Sequence, residues 1–278
     1  MQEFIDYLKN VKRYSDHTIK SYETDLEQFE LFLKNKNIDA YKISYKELIS
    51  FLEFLNSKKY KSKTIQRHIS SLKSFYGFLY KAGYTKTNFA RLLSNPKQEL
   101  RLPNYLSIID IEKLLETELS IRDKLIIELF YSTGIRLTEL INIKNIDINN
   151  YNKSIKIIGK RNKPRIVLYG DICQKLLNQY NSLSEYLFTN KQGEKLSPSG
   201  VEYIIKRALQ KSEIRVYVTP HTLRHTFATH MLDNGADLIT VKDLLGHSDL
   251  STTSIYTHVS NEHLRNTYLN THPRARRK

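Results

Sequence analysis

The sequence predicts a mainly α-helical protein of two domains, an all-helical N-terminal domain and an α+β C-terminal domain that carries a small β-hairpin. Three observations lead there. Apolar residues recur at spacings of three and four through the N-terminal third, as amphipathic helices require. That periodicity lapses over "SNPKQELRLPN", a stretch holding two prolines. Beyond it, helical patterns return and are interrupted once, by two short β-branched runs. At 278 residues the chain can bury a sizeable core, and its length favours two domains over one.

From Ser15 to Lys34, residues Ile19, Tyr22, Leu26, Phe29, Phe32 and Leu33 form one helical stripe, with Ser15 as its cap. Ser44-Tyr45-Lys46-Glu47 is a capping box opening a second helix through Leu48, Phe51, Leu52 and Leu55. A third spans Thr64 to Lys81, with Ile65, Ile69, Leu72, Phe75, Tyr76 and Leu79 inward. The aromatics of these stripes read as core rather than as base-stacking platforms. Lys61, Lys63, Arg67 and Lys73, at the start and on the outer faces of the third helix, are the better DNA-contact candidates. The boundaries read as 1–95 for the helical domain, 96–104 for a linker and 105–278 for the second domain.

In that second domain "SIIDIEKLL" and "SIRDKLIIELFYSTG" read as Ser-capped helices, the latter stopping at Gly134 in a left-handed position. The period then changes. "SIKIIGKRNKPRIVLYG" sets two β-branched runs around Gly-Lys-Arg-Asn-Lys-Pro, a β-hairpin with a basic tip. Helices resume at Asp171 to Tyr180, at Ser199 to Gln210 and after Pro220, and "VKDLLGHSD" ends another at Gly246. Near the C-terminus, Leu264, Tyr268 and Leu269 offer anchors for a terminal helix.

Lys and Arg number 44 against 29 acidic residues, a formal net charge of +15. Such a field attracts polyanions, nucleic acid first and anionic membrane surface second. The abundance of Lys, Asn, Ile and Tyr also fits an AT-rich genome, so charge alone does not select a partner. No apolar run is long enough to span a bilayer, and the N-terminus lacks the apolar stretch and cleavage site of a signal peptide, so a soluble cytoplasmic protein is expected. Cys173 is the single cysteine, which removes internal disulfides and CxxC chemistry.

Several residues can carry chemistry. In "TPHTLRHTFATHMLDNG", Pro220 opens a helix and places His221, Arg224 and His225 on one face. That face admits three readings: a metal site, although the Glu of an HExxH motif is missing; a purely structural role; or a phosphate site, since a helix N-terminus and an Arg fork both favour anions. Arg136 follows the turn at Gly134. On the hairpin tip, Lys160, Arg161, Lys163 and Arg165 suit contacts to a DNA backbone, and a lysine there can also protonate a leaving oxygen. "LLGHSDLSTTSIYTHVS" adds His247 beside a helix end and Tyr256, one of 19 tyrosines. A phenol suits phosphoryl transfer because its ester conserves the energy of a DNA phosphodiester, but with a pKa of about 10 it needs a base or a cationic pocket.

Taken in order, Arg136, Lys160, His221, Arg224, His247 and Tyr256, set in "HTLRHTFATHML" and "LLGHSDLSTTSIYTH", resemble the signature of the tyrosine recombinase family. The resemblance covers almost the whole chain, and "LPNYLS" after the linker with "HPRA" at residues 272–275 is most similar to Xer-type members. Two departures stand out: Arg161 where the usual hairpin reads Gly-Lys-Gly, and the tail Arg276-Arg277-Lys278 beyond the usual end. The resemblance implies a SAM-like core-binding domain followed by the family's catalytic domain. It also implies that Tyr256 attacks a scissile phosphate to give a 3′-phosphotyrosyl link, with Arg136 and Arg224 gripping the non-bridging oxygens. Lys160 is then the general acid, His221 the proton acceptor and His247 a phosphate donor, with no metal and no other cofactor. The implied partners are double-stranded DNA carrying a specific recombination site, a homotetramer on DNA or a heterotetramer with a second recombinase, and an activating protein, with no membrane partner and a nucleoid location. The segment after Asn261 is expected to dock on a neighbouring protomer. The role implied is resolution of chromosome or plasmid dimers at a dif-like site, in chromosome partition and cell division. A mobile-element integrase or invertase, a type IB topoisomerase and a catalytically idle DNA-binding protein remain as rivals.

Overall fold

The computed structural model describes residues 1–96, 105–159, 163–180, 182–246 and 261–275, in two compact units, Met1–Arg101 and Leu102–Lys278. Except for Pro96, the expected linker 96–104 lies outside the described residues.

The first unit is built of helices. α1 (Gln2–Asp6) runs into a π-helical stretch, Tyr7–Val11; both are too short to leave a readable period. α2 (Asp16–Lys36) is capped by Ser15, whose Oγ accepts from the Thr18 amide at 3.4 Å, and stops at Asn37 in the left-handed conformation. α3 (Tyr45–Ser57) opens on the expected capping box: the Glu47 amide donates to Ser44 Oγ and the Ser44 amide to the Glu47 carboxylate, at 3.4 and 2.6 Å. α4 (Ser62–Lys81) begins two residues before the predicted start. The apolar stripes meet ring to ring. Phe29 lies edge-on to Phe51 at 4.9 Å and to Tyr76 at 6.1 Å, and Phe4 edge-on to Phe75 at 5.4 Å. All five rings are buried, as expected of core aromatics.

One carboxylate sits inside this core. Asp25 of α2 receives the Arg67 guanidinium at 2.7 Å and the Ser71 hydroxyl at 2.7 Å, and lies 3.3 Å from His68 Nε2. Burial holds His68 down at about 4, which leaves the imidazole neutral at pH 7.

In the second unit, α5 (Ile108–Glu116) and α6 (Ile121–Thr133) carry their predicted caps, Ser107 and Ser120. Every residue from 125 to 135 is buried, and a helix buried on all sides belongs at the centre of a core. After α7 (Leu137–Leu140), three antiparallel strands stand in the order β1 (Ile148–Asn149), β2 (Ser154–Ile158), β3 (Pro164–Leu168). Ile155 pairs with Val167 and Ile157 with Arg165; Ile155, Ile157 and Val167 are buried. The predicted hairpin thus gains a third strand, too short to show alternation. α8 (Asp171–Gln179), α9 (Pro198–Lys211), α10 (Pro220–Asp233) and α11 (Leu238–Leu245) complete the scaffold, with α6 packed on α8 and α10. α12 (Asn261–Thr271) lies against α10 and α11 of the same chain, with Tyr268 and Ala275 buried in their cluster. In this single chain the terminal segment packs in cis. No helix among the described residues is long and apolar enough to cross a membrane.

Candidate active site

Two helix ends create the floor of the site. α6 terminates at Gly134, φ +60°, and a Cβ there would come within 2.6 Å of Phe227 Cδ1 and 2.7 Å of Leu245 Cδ2. α11 terminates in the same way at Gly246, φ +64°. Their final carbonyls, carrying the negative end of each helix dipole, are left without helical partners. Arg224 of α10 fills that gap: Nη1 donates to Gly134 O and Nη2 to Leu245 O at 2.7 Å.

Arg136 sits at the N-cap of α7 and is held from the same side. Its Nη2 donates to Gly246 O at 3.2 Å, its Nη1 to Glu139 Oε1 at 2.8 Å and its amide to Glu139 Oε2 at 2.7 Å. Glu139 also receives both terminal nitrogens of Arg165 from β3, at 2.7 and 2.9 Å. The Glu139 side chain is 2% exposed, against 14% for Arg165 and 28% for Arg136. Burial pushes the Glu139 carboxyl up, but hydrogen bonds from Arg165 and Arg136 more than offset it and hold the group below the usual carboxylate range. Burial, and then the field of Arg136, push Arg224 down to about 10, so it stays cationic at neutral pH. Three guanidinium groups therefore face one carboxylate, and the excess positive charge suits an anionic substrate. Beside Arg136 opens a cleft of about 610 Å³, lined by Thr138, Asn142, Lys144, Gly159 and Tyr186. The ammonium groups of Lys144 and Lys195 stand over the Tyr186 ring at 5.7 and 5.4 Å.

Of the six residues that carry the family resemblance, Arg136 and Arg224 are brought together through adjacent carbonyls, and His221 is exposed on the first turn of α10. Lys160, His247 and Tyr256 lie outside the described residues, as do Arg161 and His258. Their flanks are described: the Gly159 amide donates to Lys163 O at 2.8 Å, closing the hairpin below its tip. Lys163 is exposed, as are Lys61 and Lys63, and Lys73 is half-buried. Arg67 differs from these lysines because its guanidinium is already matched by Asp25 and by Ser21 O at 3.0 Å. The remaining histidines of α10 meet tyrosines. His225 lies edge-on to Tyr105, ring centroids 6.4 Å apart, and His230 pairs with the Tyr131 hydroxyl at 2.9 Å. Among the described residues, no cluster of His, Cys, Asp or Glu is placed to hold a metal ion.

Two residues at this site escaped the sequence reading. Glu139 was visible only as an acid three positions after Arg136, the spacing of a capping box. Arg165 was grouped with the hairpin-tip cations, but its register opposite Ile157 turns it inward.

Comparison with known proteins places this arrangement. Residues 99–263 match the phage integrase family, and residues 1–83 match the phage integrase N-terminal SAM-like domain. The chain is 40% identical over 289 aligned residues to tyrosine recombinase XerC of Staphylococcus saprophyticus subsp. saprophyticus, covering 99% of this chain and 98% of that protein. Among solved structures, XerH site-specific recombinase bound to a palindromic difH substrate, a post-cleavage complex, is 25% identical with a TM-score of 0.72, covering 96% of this chain and 84% of that one. A lambda integrase dimer bound to a COC′ core site, 17% identical with a TM-score of 0.74 and coverages of 94% and 99%, shares the fold. By a family match over more than half its length, and by identity carried from end to end, the chain belongs to the phage integrase family of tyrosine recombinases.

Proposed function

We propose that this site-specific tyrosine recombinase serves a Xer-type role, resolving chromosome or plasmid dimers at a dif-like site, and that Tyr256 is its nucleophile. The observation that carries the reading is the arginine pair. Arg136 and Arg224 are fixed on the Leu245–Gly246 carbonyls, immediately before the segment that bears His247 and Tyr256. Two guanidinium groups held by backbone are preorganised to bind the non-bridging oxygens of a phosphate as charge builds on them, which is where electrostatic stabilisation acts most strongly. The Tyr256 oxygen bonds to phosphorus as the bond to the 5′-oxygen breaks. His221 takes the phenolic proton and Lys160 supplies one to the departing 5′-hydroxyl. The reverse step, with a 5′-hydroxyl from the partner duplex, regenerates the tyrosine and seals the DNA. Because two duplexes are cut, four protomers assemble on DNA, with exposed lysines holding the backbone. The dif-like site is supported by likeness to proteins of the Xer type, one of them solved on a difH substrate.

A nicked suicide duplex bearing a dif-like site tests this reading. The full chain is expected to form an SDS-resistant protein–DNA adduct, and Tyr256→Phe none, while both bind the duplex equally. Binding without an adduct by the unmodified chain would overturn it.

A further inference from the structure

Arg165 bonds both oxygens of the carboxylate at the centre of the site and has no part in the chemistry above. It reaches three of the four segments that the reaction uses, the fourth being α10 with His221 and Arg224. Its forked end spans both oxygens of Glu139, the carboxylate that also orients Arg136. Its Nη1 lies 3.2 Å from where a Cβ would stand on Gly159, the residue before Lys160. Its Cδ, Nε and Cζ lie 2.9 to 3.0 Å from where a Cβ would stand on Gly246, the residue before His247. Gly246 is thus glycine for two reasons, its positive φ and the passage of this side chain.

We infer that Arg165 is a positioning residue for strand cleavage: through Glu139 it sets Arg136, and through close packing on Gly159 and Gly246 it sets the backbone from which Lys160 and His247 spring. A lysine in its place keeps a charge but offers one point donor where the fork makes two parallel bonds. The inference rests on the phosphate-holding role of Arg136. It goes further in predicting that a side chain 14% exposed and bonded within the protein governs the rate of cleavage rather than the hold on DNA.

The charged groups facing Glu139 are Arg136 at the start of α7, Arg165 on β3 and Arg224 on α10. Glu139 owes its ionised state to the two arginines that bond it, against a burial that favours the neutral acid. Without Arg165 that balance moves toward the neutral form, and Glu139 releases Arg136 as pH falls. This gives a readout that loss of packing alone does not produce.

The test measures two quantities on the full chain, the dissociation constant for a duplex site and the single-turnover rate of adduct formation on the nicked suicide duplex, each across pH. Arg165→Met is expected to bind DNA within about three-fold of the unmodified chain but to cleave about 100-fold more slowly, the scale of a misplaced reacting group. Its rate should recover as pH rises. Arg165→Lys should also be slow, with the pH profile of the unmodified chain, because Glu139 keeps a cationic partner. In a Glu139→Gln background, Arg165→Met should cost little more, since the two act as one unit. Thermal unfolding of each variant separates slow cleavage from a misfolded chain, and Arg165→Lys carries the test if Arg165→Met does not fold. Unchanged cleavage, an equal loss of binding and rate, or fully additive effects with Glu139→Gln would overturn the inference. Arg136→Ala is the control on the underlying reading: if it cleaves at the normal rate, the phosphate-holding role fails whatever Arg165 does.

Discussion

Gly134 shows how one backbone position supports the candidate site. Its left-handed φ lets α6 stop where its last carbonyl meets Arg224, and the space beside its Cα belongs to Phe227 and Leu245. Gly134→Ala would add backbone strain of about 1–2 kcal/mol and force a methyl into a packed cluster, which typically costs about 1–3 kcal/mol. The expected result is a loss of about 2–5 kcal/mol in denaturant unfolding of the second unit, with cleavage falling further than stability alone explains because the Gly134 carbonyl shifts under Arg224. An alanine variant as stable as the original would mean that the turn relaxes freely, and the account of Arg224 as fixed by this carbonyl would be wrong. The glycine was readable from sequence as a helix stop. Its second duty, presenting a carbonyl to an arginine 90 positions away, was not, because nothing local encodes it.

At the scale of elements, the legible pieces were those whose signal is local. The caps Ser15, Ser44, Ser107 and Ser120, the stop signals Gly134 and Gly246, and the β2–β3 alternation all predict their elements within a few residues. β1, α1 and the π-helical stretch were too short to carry a period, and the docking of the terminal segment depends on tertiary contacts alone. That segment is tied down by a neutral histidine. His272 Nδ1 accepts from the Arg274 amide at 3.1 Å, which leaves Nε2 to donate to Tyr131 O at 3.1 Å. A Cβ on Gly170 would stand 1.7 Å from Arg274 O, so the "HPRA" turn fits only against a glycine. Burial drives His272 down to about 3 from an ordinary 6.5. Because the folded state resists protonation there, the stabilisation is complete above about pH 6.5 and is lost as pH falls toward 3. Buried Glu128, pushed up to about 7 by its burial, acts in the opposite sense, so the clean measurement is a difference. The gap in unfolding free energy between the unmodified chain and His272→Gln should shrink by about 2 kcal/mol between pH 7 and pH 5, at 1.36 kcal/mol per pH unit. A gap independent of pH would mean that the imidazole does not sit neutral in the fold.

For the molecule as a whole, the issue is where its charge acts. A net +15 draws DNA from a distance, but only cations without a protein partner can release counterions from the phosphates. The helical unit offers a direct contrast on one helix. Lys61 and Lys63 are exposed at the start of α4 and Lys73 is half-buried further along it, whereas Arg67 spans Asp25 and Ser21 O. If the lysines hold the backbone, replacing all three by Gln should weaken binding to the specific site and to unrelated duplexes by the same factor. It should also flatten the dependence of log K on log salt by about 2.7, at roughly 0.9 per lost phosphate contact. Arg67→Gln should leave that slope nearly unchanged and instead destabilise the helical unit, by about 1–2 kcal/mol once its partial exposure is discounted, because a buried carboxylate loses its charged partner. Anisotropy titrations over a range of salt, paired with unfolding curves for the same variants, read both quantities. A slope for Arg67→Gln flattened as much as for a single lysine variant would show that the guanidinium leaves Asp25 for the DNA. A triple-lysine variant with an unchanged slope would move the phosphate contacts off α4 and onto other cations, with the exposed Lys163 beside the hairpin tip the next to replace.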